Sequence, residues 1–197
     1  MTDGTLSEAA LSESARASLK KHAADPVVLT PPNPAWAEQF REISDQLRDA
    51  CGDKLATIHH IGSTSVPGLA AKPLIDMLPV LRGHDDGPAL ASPMEALGFV
   101  YFGAYGIEGR HFFRRKGDLD VNVHMFEMGH IEIERHVAFR DALRSDARLL
   151  AAYQSLKQEL AARFPNDVDS YARSKSDFIE GVLRDLGAPE RPSGPDR

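Results

Sequence analysis

The 197-residue chain has one cysteine, Cys51, so no disulfide can form within it. That sparing use of cysteine suits a reducing compartment, and the expected location is the cytoplasm. Runs of about 18 apolar residues are missing, so no membrane span is expected. Residues 1–6 lack a basic stretch followed by an apolar one, so the start does not read as a secretory signal. There is no basic excess: 23 Lys and Arg face 29 Asp and Glu, a formal net charge of -6. Bulk nucleic-acid binding needs a basic surface and is not expected. A local pocket of Lys and Arg could still take a phosphorylated small molecule or nucleotide. The eight histidines show no H-E-x-x-H or similar spacing, which argues against a dedicated zinc site. Internal repeats and low-complexity blocks are also absent, and nothing sets the oligomeric state.

What is present suits a globular domain. Hydrophobic residues make up 42% of the chain and charged residues 26%, enough for a sizeable core at this length. Residues 1–24 mix Ala, Ser and Glu with weak periodicity and read as a mobile extension or loosely attached helix. Residues 188–197 carry three prolines and no large apolar group, and are expected to be a disordered tail. The stretch 25–187 is then a single domain. Trp36, Phe40, Ile43 and Leu47 recur at helical spacing, predicting a helix over 34–50. Asn33 suits its N-cap, Pro34 its first position, and Cys51-Gly52 its end. Strands are expected over 55–61 and 74–80, a helix over 88–97, and strands over 98–104, 110–115 and 119–126. The last third reads as helical over 130–145. Apolar stripes follow, Leu149 to Phe164 with a break at Pro165, and Phe178 to Leu186. The fold class is α+β, a mixed sheet followed by a C-terminal helical bundle.

The most informative stretch is Ile58 to Asp76. An apolar strand enters a turn containing Gly62, Ser63, Thr64, Ser65 and Gly68. A lone Lys72 follows, then a strand bearing Asp76. The glycines permit close backbone approach, and the hydroxyls and N–H groups suit phosphate oxygens. Alternation places Asp76 on one strand face with Leu74, Leu78 and Val80, where a carboxylate needs a metal, a cation or backbone donors. Pairing with a buried Arg or capping of the turn would serve equally. Asp120, Asn122 and His124 share the polar face of their strand over about 13 Å. They line either a site or a wet sheet surface, and if this strand lies beside that of Asp76, His124 or Asp120 would meet Asp76 across the sheet. Arg110 and Arg114 share a side with Phe112, which suits a phosphate with a base, or a solvated strand edge. Arg140 and Arg144 share a helix face, either as phosphate contacts or as partners for acids such as Asp141 and Glu134. Tyr153 with Lys157, and Tyr171 with Lys175, lie four apart. They read as helix packing with snorkelling lysines, or as two lysines rimming a cleft. His59 and His60 point to opposite sides of their strand, so at most one faces a site. Cys51 reads as structural.

The stretch resembles the signature of the GrpB family, approximately H-I-G-S-T-S-V-P-G-L-A-A-K-P-I-I-D. Further matches are Trp36, Gly109-Arg110-His111-Phe112-Phe113, His124 in Asn122-Val123-His124, Phe139-Arg140-Asp141, Tyr153 with Lys157, and Tyr171 with Lys175. They cover about residues 25–185. The resemblance implies a nucleotidyltransferase-like core, with Gly62 to Ser65 on phosphate, Lys72, Arg110 and Arg140 offsetting charge, and Asp76 placing Mg²⁺. It favours His60 over His59 and supports His124 beside the metal. Asp120 is a candidate for the third carboxylate of nucleotidyltransferases. One departure stands out: the second carboxylate, two residues after the first, is replaced by Leu78, and two-ion catalysis needs carboxylates for both ions. One Mg²⁺ held partly by substrate phosphates is compatible with this set. Transfer of a nucleotidyl group to an unknown acceptor is the leading expectation. The alternatives are a non-catalytic module binding a nucleotide or coenzyme-A-like phosphate, and a structural or chaperone-like partner protein.

Overall fold

The computed structural model describes residues 25–83 and 86–192, together with Glu13, Ala15 and Arg16. The expectations for the rest of 1–24 and for 193–197 lie outside the described residues. Helix α1 (Ala35–Cys51) begins after Pro34, and the Ala35 N–H donates to Asn33 Oδ1 at 3.0 Å. Its apolar stripe buries Trp36, Ile43 and Leu47, and Gly52 ends it at φ 61°. Five strands follow: β1 (Leu55–Ile61), β2 (Leu74–Leu81), β3 (Val100–Tyr101), β4 (His111–Arg115) and β5 (Asp120–Glu127). Their order is β1-β2-β5-β4-β3, antiparallel except for the parallel pair β2–β5. The sheet is therefore mixed, as expected. In the parallel register Asp76 lies opposite Asn122.

Two expected elements come out differently. The helix over 88–97 is two pieces, α2 (Asp86–Ala89) and α3 (Ala91–Ala96), separated at Leu90. Pro93 has no N–H to close onto Ala89, so one continuous helix would lose a rung there. The strand expected over 98–104 shrinks to Val100–Tyr101, because Gly98 and Gly103 take φ values of 83° and 62°.

The two faces of the sheet differ in character. Against α1 and α3, Ile75, Met77, Phe113, Val121, Val123 and Met125 form the main core with Leu47 and Met94, each fully excluded from solvent. This is the expected apolar side of β5. On the opposite face, Leu78, Val80, Ile61 and Phe126 pack together at one end. The other end of that face is polar and carries the site.

The C-terminal third is helical: α4 (Ile131–Ser145), α5 (Ala147–Arg163), α6 (Val168–Arg173) and α7 (Ser176–Asp185). His130, Asp146 and Asp167 cap α4, α5 and α6 through side-chain acceptors. Tyr171 and Lys175 do not share a helix, because α6 ends at Arg173, yet Lys175 Nζ still lies over the Tyr171 ring at 4.2 Å. The segment from 188, expected to be a disordered tail, makes defined contacts as far as Arg191. Arg135 donates to the Pro189 carbonyl at 2.6 Å, and Arg191 pairs with Glu132 at 2.6 Å and Glu180 at 3.1 Å. Among the described residues no helix is long and apolar enough to cross a membrane.

Candidate functional site

The bend after β1 and the acid of β2 touch. Gly62 has φ 67°, and a Cβ placed on it would fall 2.3 Å from Asp76 Oδ2. Only glycine fits, both for the backbone angle and for the space. Asp76 Oδ1 accepts from Asn122 Nδ2 at 3.1 Å and lies 3.6 Å from His124 Nε2. Asn122 Oδ1 in turn accepts from Arg114 Nε at 3.0 Å. Arg110 Nη1 donates to His124 Nδ1 at 3.4 Å, which leaves the ring proton on Nε2, directed at Asp76. Burial, helped by the positive charges of Arg110 and Arg114, holds His124 below its ordinary value although Asp76 opposes this, so the ring is neutral at pH 7. Burial alone would raise the Asp76 carboxyl. The contacts from His124 and Asn122 and the field of Lys175 outweigh it and keep the group ionised. Oδ2 has no hydrogen-bond partner among the described residues and faces the bend.

Two cavities meet at this carboxylate. The wider, about 630 Å³, is lined by Lys72, Arg110, Arg114, Asn122, His124, Arg173 and Lys175. Its carboxylates are Asp76 and Asp169. The narrower, about 240 Å³, runs under α4 and α7 past Ser63, Arg140 and Tyr153. Gly62, Asp76, His136 and Lys175 line both. The cationic wall is unusually dry. Arg110 is packed against Phe112 at 4.9 Å and donates to the Ala104 and Tyr105 carbonyls, and burial pushes it down to about 10. Tyr105 holds a positive φ of 43° to present that carbonyl. Arg114 Nη1 is buried without a partner among the described residues. Burial lowers Lys72 and takes Lys175 down to about 8.

The residues singled out by sequence therefore sort into groups. Gly62, Lys72, Asp76, Arg110, Asn122, His124 and Lys175 converge on the wide cleft, while Ser63 and Arg140 line the narrow one. Thr64 and Ser65 turn away: Thr64 Oγ1 donates to the Leu74 carbonyl at 3.0 Å, and Ser65 Oγ to that of Gly62 at 2.6 Å. Those hydroxyls shape the turn and are spent on it, although the Ser63 and Thr64 N–H groups join no backbone hydrogen bond among the described residues. His60 lies on the α1 side of the sheet, stacked on Phe40 at 4.5 Å and bonded to Thr64 at 3.1 Å. Lys157 is wholly buried and caps the Ala70 carbonyl behind the turn, so it rims nothing. The helices grip the turn in other ways too, with Arg140 on the His60 carbonyl and Arg144 on that of Ser65. Asp120 pairs with Lys116 at 2.8 Å, two residues from Asn122 along β5, and does not line the cleft. The sequence reading passed over His136 and the Glu132–Arg135–Arg191 cluster. No motif marks His136, and a proline-rich terminus gives no hint that Arg191 returns to α4.

A resident Mg²⁺ does not fit this donor set. Asp76 offers one free oxygen, the neighbouring Asn122 and His124 point N–H groups at it, and the lysine that acts on it, Lys175, is a cation and no ligand for a metal. Leu78, where a second carboxylate would stand, is fully buried among Ile61, Val80 and Phe126. Among the described residues no three His, Cys, Asp or Glu side chains are placed to hold a metal.

Comparison with known proteins places this arrangement. The UPF0157 protein YqkA of Bacillus subtilis is 40% identical over 149 residues, 75% of this chain and 43% of that protein, so the chain spans less than half of that relative. The UPF0157 protein BH1888 of Halalkalibacterium halodurans is 32% identical over 187 residues, 95% of this chain and 93% of that one. A dephospho-CoA kinase of Mycobacterium tuberculosis is 39% identical over 77 residues, 38% of this chain and 19% of the kinase. Among solved structures, the conserved protein GrpB from Enterococcus faecalis superposes with a TM-score of 0.75 at 35% identity, over 80% of this chain and 96% of that one. The Cid1 poly(U) polymerase shares a fainter outline, with a TM-score of 0.48 at 11% identity over 77% of this chain and 49% of its own. The family model described as GrpB protein matches residues 26–185, and the chain belongs to the GrpB family.

Proposed function

We propose that the wide cleft binds a phosphorylated small molecule, of the nucleotide or coenzyme-A class, through its cationic wall and not through a resident metal. The observation that carries this reading is the charge balance of the lining: buried Arg110 and Arg114, half-buried Lys72 and Lys175 and exposed Arg173, against Asp76 and exposed Asp169. Buried cations with few carboxylate partners are costly unless an anion joins them. The volume of about 630 Å³ is ample for a ligand of that size. The short likeness to a dephospho-CoA kinase is consistent with such a ligand but does not choose it. Calorimetry with pyrophosphate, ATP and coenzyme A, each with EDTA and then with Mg²⁺, tests the proposal. Binding should survive EDTA and weaken at least tenfold in Lys72→Gln and in Arg114→Gln. If none of the three ligands binds the full chain, the phosphate reading fails.

The Gly62–Asp76 contact favours a second reading, nucleotidyl transfer to an acceptor. With no site for a resident ion among the described residues, the nucleoside triphosphate would have to bring its own Mg²⁺, and the reading requires Mg²⁺-dependent pyrophosphate release that vanishes in Asp76→Ala. Binding without any release across candidate acceptors would leave the chain as a binding module.

A further inference from the structure

The narrow chamber has a chemistry of its own. One wall is apolar, built by Phe139, Leu143, Ile179 and Leu183. Arg191 of the terminal segment lines it as well, and Arg135 donates to the Pro189 carbonyl of that segment. Arg191 at 2.6 Å and Arg135 at 3.2 Å both pair with Glu132 and neutralise it, and Arg140 is held by Asp141 at 2.7 Å. Asp76 lines both cavities, and its Oδ2, beside Gly62, accepts no hydrogen bond among the described residues. The volume of about 240 Å³ exceeds the roughly 150 Å³ of an apolar cavity that takes one benzene.

From this we infer that the chamber is a second ligand site, for a neutral alcohol or phenol with an apolar body about one ring in size, whose hydroxyl donates to Asp76 Oδ2. Charge selects this class. Arg135, Arg140 and Arg191 are already paired with Glu132, Glu180 and Asp141, and Lys175 acts on Asp76, so these charges balance and an ammonium or a carboxylate would add one that nothing offsets. A ligand carboxylate would meet Asp76, whose oxygen can only accept. A hydroxyl supplies the missing donor without adding charge, and the aliphatic and aromatic wall takes its body. The inference goes beyond the phosphate proposal, because the chamber would hold its alcohol whether or not the cleft holds an anion.

The probe is benzyl alcohol, titrated into the full chain at pH 7 and followed by NMR shifts. Saturable binding is expected, with benzylamine and phenylacetate, which keep the ring and change only the head group, at least tenfold weaker. Two variants, Ile179→Trp and Phe139→Trp, fill the chamber, and thermal melts establish which of them is folded. A folded filled variant should lose benzyl alcohol while binding pyrophosphate as the parent chain does. Absence of saturable binding, unchanged affinity in a folded filled variant, or tighter binding of either charged analogue would overturn the inference. Failure of the parent chain to bind pyrophosphate, ATP and coenzyme A alike would instead strike the phosphate proposal alone.

Discussion

Replacing Gly62 with alanine measures the contact on which the site depends. Two costs follow from the geometry. The backbone, at φ 67° and ψ -174°, lies in a region almost reserved for glycine, where a Cβ costs about 2 kcal/mol. The new Cβ would also stand 2.3 Å from Asp76 Oδ2 and 2.9 Å from its Cβ and Cγ. Moving the tip of the side chain cannot relieve all three contacts. The carboxylate must swing, and the Asn122 bond is then lost, a charged hydrogen bond worth about 1.5–3 kcal/mol. Gly62→Ala should therefore destabilise by about 3–5 kcal/mol. Gly68 is the control: its φ is 82°, but a Cβ there meets nothing within 4 Å, so Gly68→Ala should show only the backbone cost. The gap of about 2–3 kcal/mol between the two variants isolates the contact with Asp76. Urea unfolding reads it, with buried Trp36 as the fluorescent reporter. In an Asp76→Ala background most of the gap should disappear, as coupling between touching residues requires. Equal midpoints for Gly62→Ala and Gly68→Ala would refute the reasoning, because the bend and the acid would then not meet.

Three further outcomes are expected. First, His60 and His136 are held down to about 4 by burial. The unfolded chain takes up protons on both rings below about pH 6.5, while the folded chain does so only near 4, so stability should fall as pH drops from 6.5 to 4. Urea midpoints across that range report it, and His136→Gln should flatten the slope; an unchanged slope would show the ring to be open to protons. Second, Leu78→Asp should not restore a metal site. It buries an unpaired carboxylate among Ile61, Val80 and Phe126, and should cost several kcal/mol. A folded variant with tight Mg²⁺ binding by calorimetry would contradict this. Third, Lys175 loses its proton near pH 8, so pyrophosphate should bind more weakly as pH rises from 7 to 9. Lys175→Arg keeps its charge over that range and should largely abolish the dependence, and a parent affinity flat from 7 to 9 would remove Lys175 from the anion's surroundings.

Much of the scaffold was legible because its signals are local. Period-two alternation placed Val121, Val123 and Met125 on the core side of β5 and Asn122 and His124 on the other. Helical spacing placed Trp36, Ile43 and Leu47 against the sheet. Setting the two strands side by side points Asp76 at His124 or Asp120; in the parallel register Asn122 stands opposite Asp76, His124 lies 3.6 Å from it, and Asp120 pairs with Lys116. Hydroxyl direction was not legible. Ser63, Thr64 and Ser65 look alike in sequence, yet Thr64 and Ser65 are consumed by carbonyls of the turn and of β2 because a bend this tight leaves acceptors to satisfy. Lys157 misled for a related reason: four methylenes can carry an ammonium inward to a buried carbonyl as readily as outward to a rim. His60 and Asp120 were misplaced by one strand face and by one competing lysine. Arg191 was lost because its partners, Glu132 and Glu180, lie far away in sequence.

The division of the sheet's open face explains why the family signature and the missing carboxylate belong together. Along β2 the side chains on that face are Leu74, Asp76, Leu78 and Val80, and along β5 they are Asp120, Asn122, His124 and Phe126. The apolar end, Leu78 with Ile61, Val80 and Phe126, seals the sheet under Ile107 and Ile133. A carboxylate at 78 would face Phe126 and Ile61 in place of solvent, with nothing near to neutralise it. Its absence leaves Asp76 as the acid in the middle of this face, with Asp120 at the start of β5 already paired to Lys116 at 2.8 Å. Around Asp76 the chain places Lys72, Arg110, Arg114 and Lys175, more positive charge than that carboxylate alone balances. A site that relied on two metal ions would need the opposite arrangement, with acids in excess. The same substitution that removes the second metal ligand therefore leaves cations in surplus, and surplus buried cations are what an anionic ligand requires.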